Sequence, residues 1–180
     1  HGHVHHPRPV HQHAAGGGLV QPFVYHLPTR VIFGSGRLGE AGAEAKKLGK
    51  RALLLTGRNA MQKQGVLQKV TGVLTGAGVE AVIFERVEPN PRQETLDEAV
   101  QLALETDCDF VIGLGGGSPM DSAKAVAMAL AHAKRTKEVL SVWEWTSGRK
   151  EGRRPVKDPL PTLLISSTAA TATEGNCAAV

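Results

Sequence analysis

The segment FVIGLGGGSPMDSAKAVA, residues 110–127, decides the fold. It opens as a short apolar run, passes through consecutive glycines and ends in residues with helical character, so it reads as strand, turn and helix. Glycines at 115–117 let backbone N–H groups come within hydrogen-bonding distance of a phosphate, where any Cβ would hold the ligand away. The N-terminus of the following helix adds a favourable dipole. Ser118 is expected to cap that helix, with Pro119 at the first helical position and Asp121 at the third, reaching back in a capping box. Asp121 and Lys124 also have a plain reading, as a cap and a solvent-facing side chain. Three glycines are more than a well-capped helix requires.

The same alternation continues on either side. Strands are expected at 30–33, 51–56, 79–84, 110–114 and 163–166, and helices at 38–48, 61–74 and 93–105. The continuous apolar run of RALLLT at 51–56 implies cover on both faces. In the helix expected at 61–74, Val66, Leu67, Val70, Val73 and Leu74 share a face, and Gly76 and Gly78 end it. Helix follows strand each time, which is the order of right-handed crossovers in an α/β fold. The result is a Rossmann-like parallel sheet with helices on both faces and ligands at the carboxyl ends of the strands. Residues 141–161, with two tryptophans and a basic run, read as an irregular excursion before the last strand.

Composition narrows the classes. A chain of 180 residues is about one domain, and 41% hydrophobic with 21% charged residues is a globular mixture rather than a disordered one. Six of the 8 histidines lie in the first thirteen residues and are followed by AAGGG. Residues 1–22 therefore look like a purification tag and linker, leaving 23–180 as the dinucleotide-binding domain. Cys108 and Cys177 have no CxxC spacing, which excludes a disulfide framework and a zinc knuckle and fits a reducing compartment. The longest apolar run, near 125–133, is far short of the ~18 residues of a membrane span, and no signal-peptide pattern opens the chain. A soluble, cytoplasmic protein is expected. The net charge of +4 and pI near 9.3 raise nucleic acid as a partner. The one dense basic run, RKEGRR at 149–154, is broken by glycine and glutamate and reads as a solvated loop, so neither nucleic acid nor membrane is expected as a partner.

Two other clusters compete with 113–121 as ligand sites. GSGRLG at 34–39 satisfies GxGxxG between strand and helix, but the dinucleotide fingerprint also needs a ribose-binding carboxylate about 20 residues on, and TGR stands there at 56–58. SSTAATATE at 166–174 offers hydroxyls after the last strand, suited to a diphosphate or nicotinamide pocket or simply to a surface loop.

With these residues in view, GGGSPMDSAKAVA at 115–127, FVYHLPTRVIFGSG at 23–36 and VEPNPRQETLDEA at 87–99 resemble the iron-containing (group III) alcohol dehydrogenases. STAATATEGNCAAV at 167–180 is most similar to the NADPH-dependent butanol dehydrogenase branch, in which a glycine usually stands at the place of Ala172. The resemblance implies a dehydroquinate synthase-like N-terminal domain. It places the pyrophosphate loop on Gly116, Gly117 and Ser118, with Asp121 supporting the turn, and makes 34–39 a structural turn. Asn90 is expected near the adenosine, and Ser167, Thr168 and Thr171 near the phosphates and nicotinamide. NAD-selecting members carry an aspartate where this sequence has Gly57. With room at Gly57 and positive charge on Arg58, NADP(H) is favoured over NAD(H).

The resemblance also implies iron or another divalent metal, held by an aspartate and three histidines of a helical C-terminal domain that this sequence lacks. His132 alone is not expected to be a ligand. The chain therefore reads as the cofactor-binding domain of a metal-dependent alcohol dehydrogenase or aldehyde reductase, cut within a strand at its C-terminal end and inactive alone. The alternatives are a non-catalytic nucleotide-binding or interaction module and a glycerol dehydrogenase-like domain. The strand expected at 29–33 is a candidate for pairing across a homodimer.

Overall fold

The computed structural model describes residues 28–58, 60–145, 151, 152, 154, 155, 157–168 and 173. The expected tag and linker, Thr171 and Cys177 lie outside the described residues. A 3-10 helix, Arg37–Glu40, leads into α1 (Ala41–Leu48), then β1 (Arg51–Gly57), the one-turn α2 (Ala60–Lys63), α3 (Val66–Gly76) and β2 (Glu80–Val87). After these come α4 (Gln93–Glu105), β3 (Phe110–Gly115), α5 (Gly117–Thr136), a second 3-10 helix (Val142–Trp145) and β4 (Thr162–Ser166). The strands form one parallel sheet in the order β2-β1-β3-β4. The chain runs outward from β1 to β2, then crosses to the other side of β1, so the topological switch lies between β1 and β3, where α/β sheets bind ligands.

Two cores confirm that the sheet is covered on both faces. Side chains alternate along β1. Leu53 and Leu55 pack with Leu96 and Val100 of α4 and Val126 and Leu130 of α5. Ala52 and Leu54 pack with Ala45 of α1, Val70 and Leu74 of α3, and Ile112 of β3. This two-sided burial is what the uninterrupted apolar run of β1 implied. On β3, Gly113 brings α5 close: a Cβ there would stand 2.9 Å from both the Cα of Met120 and the carbonyl oxygen of Pro119. No described helix is long and apolar enough to cross a membrane.

Three expectations need correction. Residues 30–33 form no strand; Val31 is 59% and Phe33 92% exposed, and no described strand offers them a ladder. Apolar, β-branched composition creates a preference, but a strand exists only where a partner takes its hydrogen bonds. The helix expected over 61–74 is two helices, because Gly65 adopts φ 68 and donates its N–H to the carbonyl oxygen of Gln62 at 2.9 Å. The start of α5 lies earlier than the capping pattern indicated. Gly116 is the N-cap, with no side-chain capping bond, so Ser118 and Pro119 are the second and third helical residues and Asp121 the fifth. Pro119 is tolerated there because the third helical N–H has no intrahelical acceptor in any case.

Candidate dinucleotide site

The carboxyl ends of β1, β2 and β3 open onto a cavity of about 840 Å³. Its floor is the turn from β3 to α5: Gly115, Gly116, Gly117, Ser118 and Pro119 all line it. Gly115 has φ 138, a conformation L side chains rarely adopt, and Gly116 follows in extended geometry. Together they bring the start of a 20-residue helix, whose N-cap is a glycine and supplies no capping side chain, to the cavity. Backbone amides and the positive end of the helix dipole are the elements of an anion site.

The walls carry charge. Gly57 and Arg58 line the cavity from β1, and Arg86 and Glu88 from β2. Arg92, Glu94 and Thr95 line it from the start of α4. Glu88 is committed to structure. Its carboxylate accepts the Thr95 hydroxyl at 3.1 Å, and its own N–H, the Thr95 hydroxyl, the Arg92 N–H and the Arg92 charge together hold it below the usual carboxylate range against partial desolvation. It thereby fixes the turn at 88–95 that closes one side of the cavity. A Cβ at Gly57 would sit 3.4 Å from the Val87 carbonyl oxygen, so a side chain there would enter the cavity edge with little strain.

The residues expected at the site fall into three groups. Gly57, Arg58, Gly116, Gly117 and Ser118 are brought together around the cavity. Asn90 stands just beyond it, exposed between two prolines with φ 53, and Asp121 is buried behind the glycine turn, 3.6 Å from Lys124 Nζ. Ser167 and Thr168 are exposed at the end of β4. The Ser167 N–H reaches the Gly115 carbonyl oxygen at 2.8 Å, and Thr168 Oγ1 lies 3.4 Å from where a Gly116 Cβ would be. They flank the glycine turn without lining the cavity. The turn at 34–39 does not line it either.

Sequence reasoning missed Arg86, Glu88, Arg92 and Thr95. The expected strand ended at 84, whereas β2 runs to Val87, and the rule that ligands sit at strand carboxyl ends points to Arg86 and Glu88 once that end is known.

His132 Nε2 lies 3.4 Å from Glu138 Oε2, with the Trp145 ring edge-on at 5.6 Å. Among the described residues no three His, Cys, Asp or Glu side chains converge to hold a metal. These residues do not fit a metal ion.

Comparison with known proteins shows the family. The family model described as iron-containing alcohol dehydrogenase matches residues 28–180. The chain is 32% identical over 157 residues to a probable NADH-dependent butanol dehydrogenase of Bacillus subtilis, covering 87% of this chain and 38% of that protein. It is 34% identical over 155 residues to an NADPH-dependent butanol dehydrogenase of Clostridium saccharobutylicum, covering 83% and 36%. Among solved structures, an alcohol dehydrogenase from an archaeal halo-thermophile of a Red Sea brine pool superposes with a TM-score of 0.79 at 39% identity, over 84% of this chain and 38% of that one. The chain thus spans well under half the length of these relatives, and it belongs to the iron-containing alcohol dehydrogenase family.

Proposed function

We propose that residues 23–180 are the dinucleotide-binding domain of an alcohol dehydrogenase or aldehyde reductase, with NADP(H) as the preferred cofactor. The observation that carries this reading is the cavity at the switch point, floored by the glycine turn at the start of α5 and walled by Arg58. The N–H groups at Gly116, Gly117 and Ser118 would receive the pyrophosphate, with the helix dipole adding to the attraction. Asp121 and Lys124 would brace the turn from behind, and Asn90, Ser167, Thr168 and Thr171 would surround the rest of the cofactor. The bound nicotinamide would supply or accept a hydride at a carbonyl or alcohol carbon. This chain's own contribution would be to bind and orient the cofactor; it spans 38% of the butanol dehydrogenase of Bacillus subtilis that it matches, and the alcohol or aldehyde would be held by residues outside it. A cytoplasmic compartment and a homodimer belong to the same reading.

The cofactor preference rests on Gly57. A carboxylate at this strand end would accept the ribose hydroxyls and repel a 2′-phosphate, whereas glycine leaves space and Arg58 supplies positive charge. Calorimetric titration of the chain with NADPH and NADH tests the reading. NADPH is expected to bind more tightly, and Gly57→Asp to weaken NADPH about ten-fold while strengthening NADH. Absence of binding by either cofactor would overturn the dinucleotide reading; tighter NADH binding by the unaltered chain would overturn the preference alone.

A further inference from the structure

We propose that Arg86, at the carboxyl end of β2, is a second specificity-determining residue, which engages the 2′-phosphate of NADP(H) opposite Arg58. The inference rests on the NADP(H) reading above and adds a residue to it. Its basis is a β-bulge. Leu55 pairs with Phe84 and Gly57 with Val87, so two residues of β2, Glu85 and Arg86, stand opposite the single Thr56 of β1. A bulge at a strand end bends the backbone and re-aims the side chains that follow, and this one places Arg86 on the cavity wall beside Gly57.

Three arginines line the cavity, and they are not equivalent. Arg92 acts on Glu88 through its backbone N–H and its charge. Arg86 is already held. Its guanidinium carbon lies 4.9 Å from the centre of the buried Phe84 ring, and Nη2 bonds to the Glu98 carboxylate of α4. A guanidinium presents five N–H donors in a rigid fork, so one edge can stay on Glu98 while another takes phosphate oxygens. The side chain remains 53% exposed, which leaves that second edge open. A cation held in place before binding loses less conformational freedom when the ligand arrives. Glu88 and Glu94 also line the cavity, and its three arginines outnumber these two carboxylates.

The test is calorimetric titration of the unaltered chain, Arg86→Gln and Glu98→Gln with NADPH, NADH, 2′-AMP and 5′-AMP. Arg86→Gln is expected to weaken NADPH and 2′-AMP about ten-fold or more, in line with loss of a charged hydrogen bond, while NADH and 5′-AMP stay within about two-fold. Glu98→Gln frees the guanidinium and is expected to give a smaller loss in the same two ligands. Unchanged NADH binding serves as the internal check that the altered chain is folded. Equal loss for both members of each pair, or no loss, would overturn the role of Arg86 while leaving the NADP(H) preference intact. An unaltered chain without that preference would overturn the cofactor reading and the Arg86 role with it.

Discussion

The two ends of the sheet are built on opposite principles. At the amino end, backbone groups are closed off by side chains: Asp109 Oδ2 accepts the N–H groups of Lys50 at 2.7 Å and Arg51 at 2.9 Å. Arg51 in turn bonds the Thr106 carbonyl oxygen at 2.7 Å and pairs with Glu80 at 2.8 Å. At the carboxyl end a glycine turn lines a cavity, and the N-cap of α5 is a glycine that supplies no capping side chain. Satisfied polar groups stabilise the fold, whereas groups available for a ligand contribute nothing until it arrives. The difference teaches that stability and binding are separable by position along the same strands.

The sharpest way to break that separation is Gly113→Ala, because Gly113 sets how closely the start of α5 packs on β3. Its Cβ would meet the backbone of Met120 and Pro119 at 2.9 Å, and neither can rotate away. The start of α5 must move instead, at a cost of about 3 kcal/mol in urea denaturation, with a marked loss of NADPH affinity alongside. Intact affinity in the altered chain would mean that the helix N-terminus is not the anion site.

Gly49→Ala makes the matching intrusion at the other end. A Cβ there would stand 2.5 Å from Asp109 Cβ and 3.0 Å from a Phe110 ring carbon, displacing the carboxylate that holds Lys50 and Arg51. A destabilisation of about 2 kcal/mol is expected, with NADPH affinity of the folded chain unchanged. Loss of affinity comparable to that of Gly113→Ala would show the two ends to be coupled.

The comparison also explains what was legible in the sequence. Helix α4 occupies the expected residues, because Leu96, Ala99, Val100 and Ala103 carry a face that only a helix buries together. β1 was equally plain, since a strand buried on both faces leaves an unbroken apolar run. The carboxyl end was harder. Local propensity points to a cap at Ser118, but α5 starts at Gly117, directly after a turn in which Gly115 takes φ 138 and Gly116 is the N-cap. Arg86 was missed because a bulge extends β2 past the point where its apolar pattern stops, and a charged residue at a strand end looks like ordinary surface. Residues 30–33 erred in the other direction, with strand composition and no partner.

The smallest expected effect is a pair of opposite pH responses. At the amino end, Cys108 is buried beside Thr106 Oγ1 at 3.3 Å, and burial pushes its thiol above the usual range even though the Thr106 hydrogen bond pulls the other way. A raised value means that the folded chain holds the proton more tightly. The resulting stability is fully present below the unfolded thiol's value, about 8.5, and is lost as the pH rises through the higher folded value. At the carboxyl end Glu88 is depressed, chiefly by its own N–H and the Thr95 hydroxyl, so its contribution is present above about pH 4.3 and lost as the pH falls through the lower folded value. Urea midpoints at pH 7 and 10 should therefore converge in Cys108→Ala relative to the unaltered chain, and those at pH 7 and 3.5 in Glu88→Gln. Only Glu88→Gln should also loosen NADPH, through the turn at 88–95. A Cys108→Ala chain that lost cofactor affinity would contradict the division between the two ends.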